Sequence, residues 1–149
     1  MSLEDVRNYL NIIRRDFSRK PVDINSLMES PFDQYSIWFE EAVGSKVPDP
    51  YAACLSTVGI NNRPSSRMVY IRDILEESFV FYTNYRSDKG NDLKENPFAS
   101  LTIYWVELER QIRIQGKIEM VDSMISDTYF KNRPRESQLG AWASDQSNE

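Results

Sequence analysis

The chain has 149 residues, 40% of them hydrophobic and 12% aromatic, with a formal net charge of −5 and no histidine. That composition suits a folded domain with a real core and excludes a disordered chain, while the acidic balance argues against a general nucleic-acid binder. The missing histidine removes Ser-His-Asp and Cys-His triads and the commonest metal ligand at once.

Leu3, Val6, Leu10, Ile13 and Phe17 recur at three- and four-residue spacing, which predicts an amphipathic helix. The opening MSLEDVRNYL has no apolar signal-peptide core and no run reaches a transmembrane length, so a cytoplasmic address and no membrane partner are expected. "SRKPVDINSLMES" reads as a connector. Ser30 then caps a second helix, with Pro31 in its first position and Asp33 completing a capping-box-like pattern. Tyr35, Trp38, Phe39 and Ala42 form its apolar face, and Gly44 can end it.

From Tyr51 the period changes to two. "YAACLSTV", "SSRMVYIR", "SFVFYTN", "FASLTIYW" and "RQIRIQGKIEMV" predict five strands, with turns at "VGINNRP" and "DILEE". The last alternates Ile112, Ile114 and Ile118 against Gln111, Arg113, Gln115 and Lys117. A short helix, "SDKGNDLKEN", is stopped by Pro97, and "SMISDTYFKN" and "PRESQLGAWAS" predict two more on either side of Pro134. The expected fold is mainly β or α+β, a small antiparallel barrel with peripheral helices in a single domain: residues 1–29 helix and linker, 30–149 barrel and helices. Cys54, alone, allows no disulfide framework or zinc motif and reads as a core residue.

With no histidine and scattered carboxylates, an enzyme built on this chain would rely on a cofactor for its chemistry. Arg67 and Arg72 bracket "MVYI", and guanidinium groups bind phosphate in a fork. Their odd separation puts them on opposite faces of a regular strand, so one pocket would need a bulge, a strand end or a subunit boundary. On the residues alone, two solvated charges at strand ends is the stronger reading. In "FYTNYRSDKGNDL", Ser87 can cap a helix with Arg86 and Lys89 nearby, and Tyr82 and Thr83 can add hydroxyls. A plain capped helix looks the same. Gln111, Arg113 and Gln115 put amides on a polar strand face, where they can read a heterocycle edge or simply meet solvent. Tyr129 and Arg133 share a helix face and Ser137 opens the next helix, a set suited to a phosphorylated aromatic ring. Trp142 reads as core.

"RRDF", "SSRMVYIR", "FYTNYRSDKG", "NPFASLTIYW", "LERQIRIQGK" and "YFKNRPRESQLGAWASDQS", in this order and spacing, resemble the pyridoxine (pyridoxamine) 5′-phosphate oxidase family from Arg14 to Ser147. The resemblance implies an FMN-binding split barrel working as a homodimer with FMN between subunits. Arg67, Met68, Val69, Tyr70, Ile71 and Arg72 would contact FMN, as would Tyr82, Thr83, Lys89, Gln111, Gln146 and Ser147. Tyr129, Arg133 and Ser137, with Arg72, would hold the substrate, and Arg14, Arg15, Asp16 and Phe17 would close over it. The implied reaction oxidises pyridoxamine or pyridoxine 5′-phosphate to pyridoxal 5′-phosphate, with dioxygen giving hydrogen peroxide.

Four departures from the family pattern bear on that expectation. Arg72 stands where the family has Lys, Asp88 where it has Arg, and Phe17 where it has Tyr. Family members also continue through "WGG" and "RLHDR" stretches, whereas this sequence stops at "SDQSNE", so a fragment or a shortened relative is expected. Two alternatives follow: a non-catalytic module binding FMN or pyridoxal phosphate, and a split-barrel reductase acting on another substrate. Tyr129, Arg133 and Ser137 speak against the latter.

Overall fold

The structure, a computed structural model, describes residues 1–14, 16 and 21–143. Among them the elements run α1 (Leu3–Ile12), α2 (Pro31–Gly44), β1 (Ala52–Val58), β2 (Pro64–Leu75), β3 (Ser78–Phe81), α3 (Asp88–Glu95), β4 (Phe98–Trp105), β5 (Arg110–Lys117), α4 (Ser123–Asn132) and α5 (Arg135–Ala143). The strands form one antiparallel sheet in the order β3-β2-β1-β4-β5.

Period-two alternation gives this sheet two unlike faces. Ala53, Leu55 and Thr57 of β1, Val69 and Ile71 of β2, and Leu101, Ile103 and Trp105 of β4 point to the core. α2 covers that face with Tyr35 and Ala42, flanked by Trp38 and Phe39. Tyr35 meets Phe79 edge-on at 4.8 Å, and the Trp105 indole donates to the Pro50 carbonyl at 3.0 Å. The opposite face leaves Met68, Tyr70 and Tyr104 exposed. Cys54 belongs to this open face and is half-exposed, so the core reading of it is corrected.

Several boundaries move for physical reasons. α2 begins as its sequence indicates, with Ser30 accepting from the Asp33 N–H. It ends at Gly44 as its sequence indicates, but the left-handed position falls on Lys46 at φ 57°, with Lys46 N–H bonded to Val43 and Val47 N–H to Ala42. This paired pattern is a Schellman motif, and Val47 and Ala42 are both in the core. β2 runs through most of "DILEE" because Asp73, Ile74 and Leu75 pair with β3, leaving only Glu76 and Glu77 to turn. β3 stops before Tyr82, and β5 stops at Lys117, although Ile118 still donates to Pro97 at 2.7 Å. α1 ends at Ile12 with none of its residues buried, and Phe17 lies outside the described residues. Trp142 is 83% exposed, contrary to its core reading, because α5 turns that side chain to solvent. Among the described residues no helix is long and apolar enough to cross a membrane.

Candidate functional site

Where β1 ends and β2 begins, the core face turns from apolar to polar. Arg67 sits one inward position before Val69, and Thr57 is the last inward residue of β1. The Arg67 guanidinium donates from Nη1 to Thr57 Oγ1 at 2.6 Å and to the Ser65 carbonyl at 3.2 Å, and from Nη2 to Ser65 Oγ at 3.0 Å. Asp92 on α3 completes the cluster, accepting from Thr57 Oγ1 at 2.7 Å and lying 3.7 Å from Arg67 Nη2.

α3 brings the second cation. Ser87 is the N-cap residue, but its hydroxyl makes no capping bond; it donates to the Asn84 carbonyl at 2.6 Å and accepts from Lys89 Nζ at 3.0 Å. Lys89 is only 8% exposed. Burial, then the Arg67 charge, holds its ammonium below the usual pKa, while the exposed Asp88 works the other way. Asp88 thus helps keep Lys89 charged. The close approach of α3 to the preceding turn requires Gly90, since a Cβ there would overlap the Tyr85 carbonyl.

Arg72 lies at a register shift between Ile71 and Asp73, with its guanidinium among tyrosines and not in the Arg67 cluster. Its guanidinium packs on the rings of Tyr70 at 4.9 Å and Tyr51 at 5.2 Å. It borders a cleft of about 310 Å³ with Tyr35, Phe39, Tyr51, Ile71 and Ile74. Of the six residues from 67 to 72, Val69 and Ile71 spend their side chains on the core and offer a ligand only backbone groups.

Beyond β3, Tyr82 stacks face to face on Tyr129 of α4, centroids 3.6 Å apart and planes within 5°. Burial first, then the charges of Asp73, Tyr129 and Tyr85, raises the Tyr82 hydroxyl pKa. Thr83 is half-buried in the same turn. Arg133 ends α4 in extended conformation, as a residue before proline should, and lies 5.9 Å from the Phe130 ring. Gln138 ties the two helices, donating to the Lys131 carbonyl at 3.2 Å and the Arg133 carbonyl at 2.8 Å. Tyr129, Arg133 and Ser137 are all half-buried.

The fold therefore gathers Arg67 with Lys89 and Tyr82 with Tyr129. Gln111 sits apart, exposed on the open face with Arg113 and Gln115. Arg14 donates to the Leu10 and Ile13 carbonyls at the end of α1, and Asp16 is exposed. Arg15, Phe17, Gln146 and Ser147 lie outside the described residues. Thr57, Asp92, Tyr51 and Gln138 escaped sequence reading. Asp92 carried one usable signal, its place three residues after Lys89 on the same helix face.

A family model described as pyridoxamine 5′-phosphate oxidase matches residues 39–149. The pyridoxine/pyridoxamine 5′-phosphate oxidase of Burkholderia ambifaria is 49% identical over 135 residues, 91% of this chain and 63% of the relative. That of Burkholderia multivorans is 47% identical over the same shares. The chain thus spans about 63% of the length of the curated relatives it matches. Among solved structures, PhzG from Burkholderia lata 383, in complex with tetrahydrophenazine-1-carboxylic acid, superposes with a TM-score of 0.81 at 29% identity, covering 84% of this chain and 62% of that one. A pyridoxamine 5′-phosphate oxidase-related, FMN-binding protein from Nostoc punctiforme shares the fold at TM-score 0.60 and 23% identity, covering 74% of this chain and 62% of that one.

Proposed function

Because the chain belongs to the pyridoxamine 5′-phosphate oxidase family, we propose that it holds FMN and serves the oxidation of pyridoxamine or pyridoxine 5′-phosphate to pyridoxal 5′-phosphate in the cytoplasm. Dioxygen is the acceptor in this reading and hydrogen peroxide the second product. The observation that carries it is the Arg67–Lys89 pair: two cations on one site, one of them buried, in a protein of net charge −5. A guanidinium and an ammonium on one site can each give a dianionic phosphate charge-assisted hydrogen bonds. The residues present therefore fit the FMN phosphate.

Arg67 and Lys89 would hold that phosphate, and Tyr82 and Thr83 just after β3 would make further FMN contacts. FMN, when bound, supplies the two-electron acceptor that no side chain here can replace. Tyr129, Arg133 and Ser137 would bind the substrate phosphate, the guanidinium giving charge and the hydroxyls direction. Arg72, fixed between two tyrosine rings, adds a cation at the cleft. Gln111 reaches a cofactor most simply from a second copy, so a homodimer covering the open face is part of the proposal. Arg14, Arg15, Asp16 and Phe17 as a closing segment, and Gln146 and Ser147 as further FMN contacts, belong to it on family likeness.

A second reading, an FMN enzyme of this fold acting on a ring without a phosphate, draws on the likeness to PhzG. Arg133→Ala separates the two. It should raise the KM for pyridoxamine 5′-phosphate about tenfold or more, the worth of a charge-assisted hydrogen bond, with FMN content unchanged. A peroxide assay checks this; an unaltered KM would remove the substrate assignment. Retained FMN without peroxide from the unmodified chain would instead mean a binding module.

A further inference from the structure

We propose that Asp92 is the positioning residue of the anion cradle: acting through Thr57, it sets the direction in which Arg67 faces a phosphate. The inference rests on the reading of Arg67 and Lys89 as the FMN-phosphate site. An arginine only donates and a carboxylate only accepts, so the polarity of the chain Arg67 Nη1, Thr57 Oγ1, Asp92 Oδ2 is fixed at 2.6 and 2.7 Å. Thr57 is 1% exposed, so its single hydroxyl hydrogen has no solvent partner to turn to. With that hydrogen committed to Asp92, the oxygen presents its lone pairs to the guanidinium. The direct Arg67–Asp92 separation of 3.7 Å is an ion pair and not a hydrogen bond, so the orienting contact runs through the hydroxyl.

Two further features favour orientation over mere charge. A carboxylate beside a phosphate site opposes the ligand by its charge, so its presence there calls for another use. The backbone also makes room for it: a Cβ on Gly59 would lie 2.5 Å from Asp92 Oδ1, and Gly59 has no positive φ that would otherwise demand glycine.

Titration of the full chain with FMN and with riboflavin, read by flavin fluorescence, tests this. Asp92→Asn, Thr57→Val and Gly59→Ala should each weaken FMN binding about tenfold while riboflavin binding stays put, since only the phosphate contact is disturbed. Thr57→Ser, which keeps the hydroxyl, should behave as the unmodified chain. Gly59→Ala displaces the carboxylate without removing its charge, so it stands in should Asp92→Asn fail to fold. FMN affinity that is unchanged or tighter in Asp92→Asn and Gly59→Ala, as simple repulsion would give, overturns the proposal. An unmodified chain that binds both flavins equally overturns the cradle itself, and the role of Asp92 with it.

Discussion

Lys89→Met should weaken FMN binding by about 10- to 100-fold. This follows from the loss of one charge-assisted contact to a phosphate, about 1.5–3 kcal/mol. The pH dependence has a definite sign. Lys89 titrates below its ordinary value of 10.5 in the folded chain, so between its folded pKa and about 10.5 the unfolded chain binds more protons. The stability of the flavin-free protein should rise with pH through that window, and the methionine variant should lack this rise. FMN binding should fall over the same window as the charge is lost. Urea midpoints with pH, and fluorescence titrations at each pH, read the two effects separately. Equal FMN affinity in both proteins would place the phosphate elsewhere.

Trp105→Ala is expected to cost about 3–5 kcal/mol, a large share of the roughly 5–15 kcal/mol that holds an ordinary domain together. Trp105 is 2% exposed at the end of β4, lies against Tyr35 and Phe39 of α2, and satisfies its indole N–H on Pro50. Alanine leaves a cavity under the helix and an unpaired Pro50 carbonyl. Trp105→Phe keeps most of the volume and should lose markedly less. A urea midpoint shift worth under about 1 kcal/mol for the alanine variant would contradict this packing.

The sheet was legible because half-buried strands write their burial into alternate residues: all five strands, and the inward Ile112 and Ile114, follow from period two. The start of α2 was legible for a similar local reason, since Ser30 and Pro31 act within one turn. Ends were harder. β2 continues through Asp73–Leu75 because β3 pairs with it, which no local turn signal records, and Lys46 takes the left-handed position that Gly44 seemed suited to. At the site, the odd spacing of Arg67 and Arg72 puts them on opposite faces of a regular strand, and a register shift falls at Arg72 without joining it to the Arg67 cluster. The partners of Arg67 were out of reach: Thr57 and Asp92 are joined across 35 positions by the packing of α3 on β1.

The central claim, that this chain holds FMN, is tested most directly by the visible absorption spectrum of the purified 149-residue protein after incubation with excess FMN and removal of free flavin. One retained flavin per chain is the result expected from a cradle built on Arg67 and Lys89. A colourless protein, with all flavin eluting free, would contradict it.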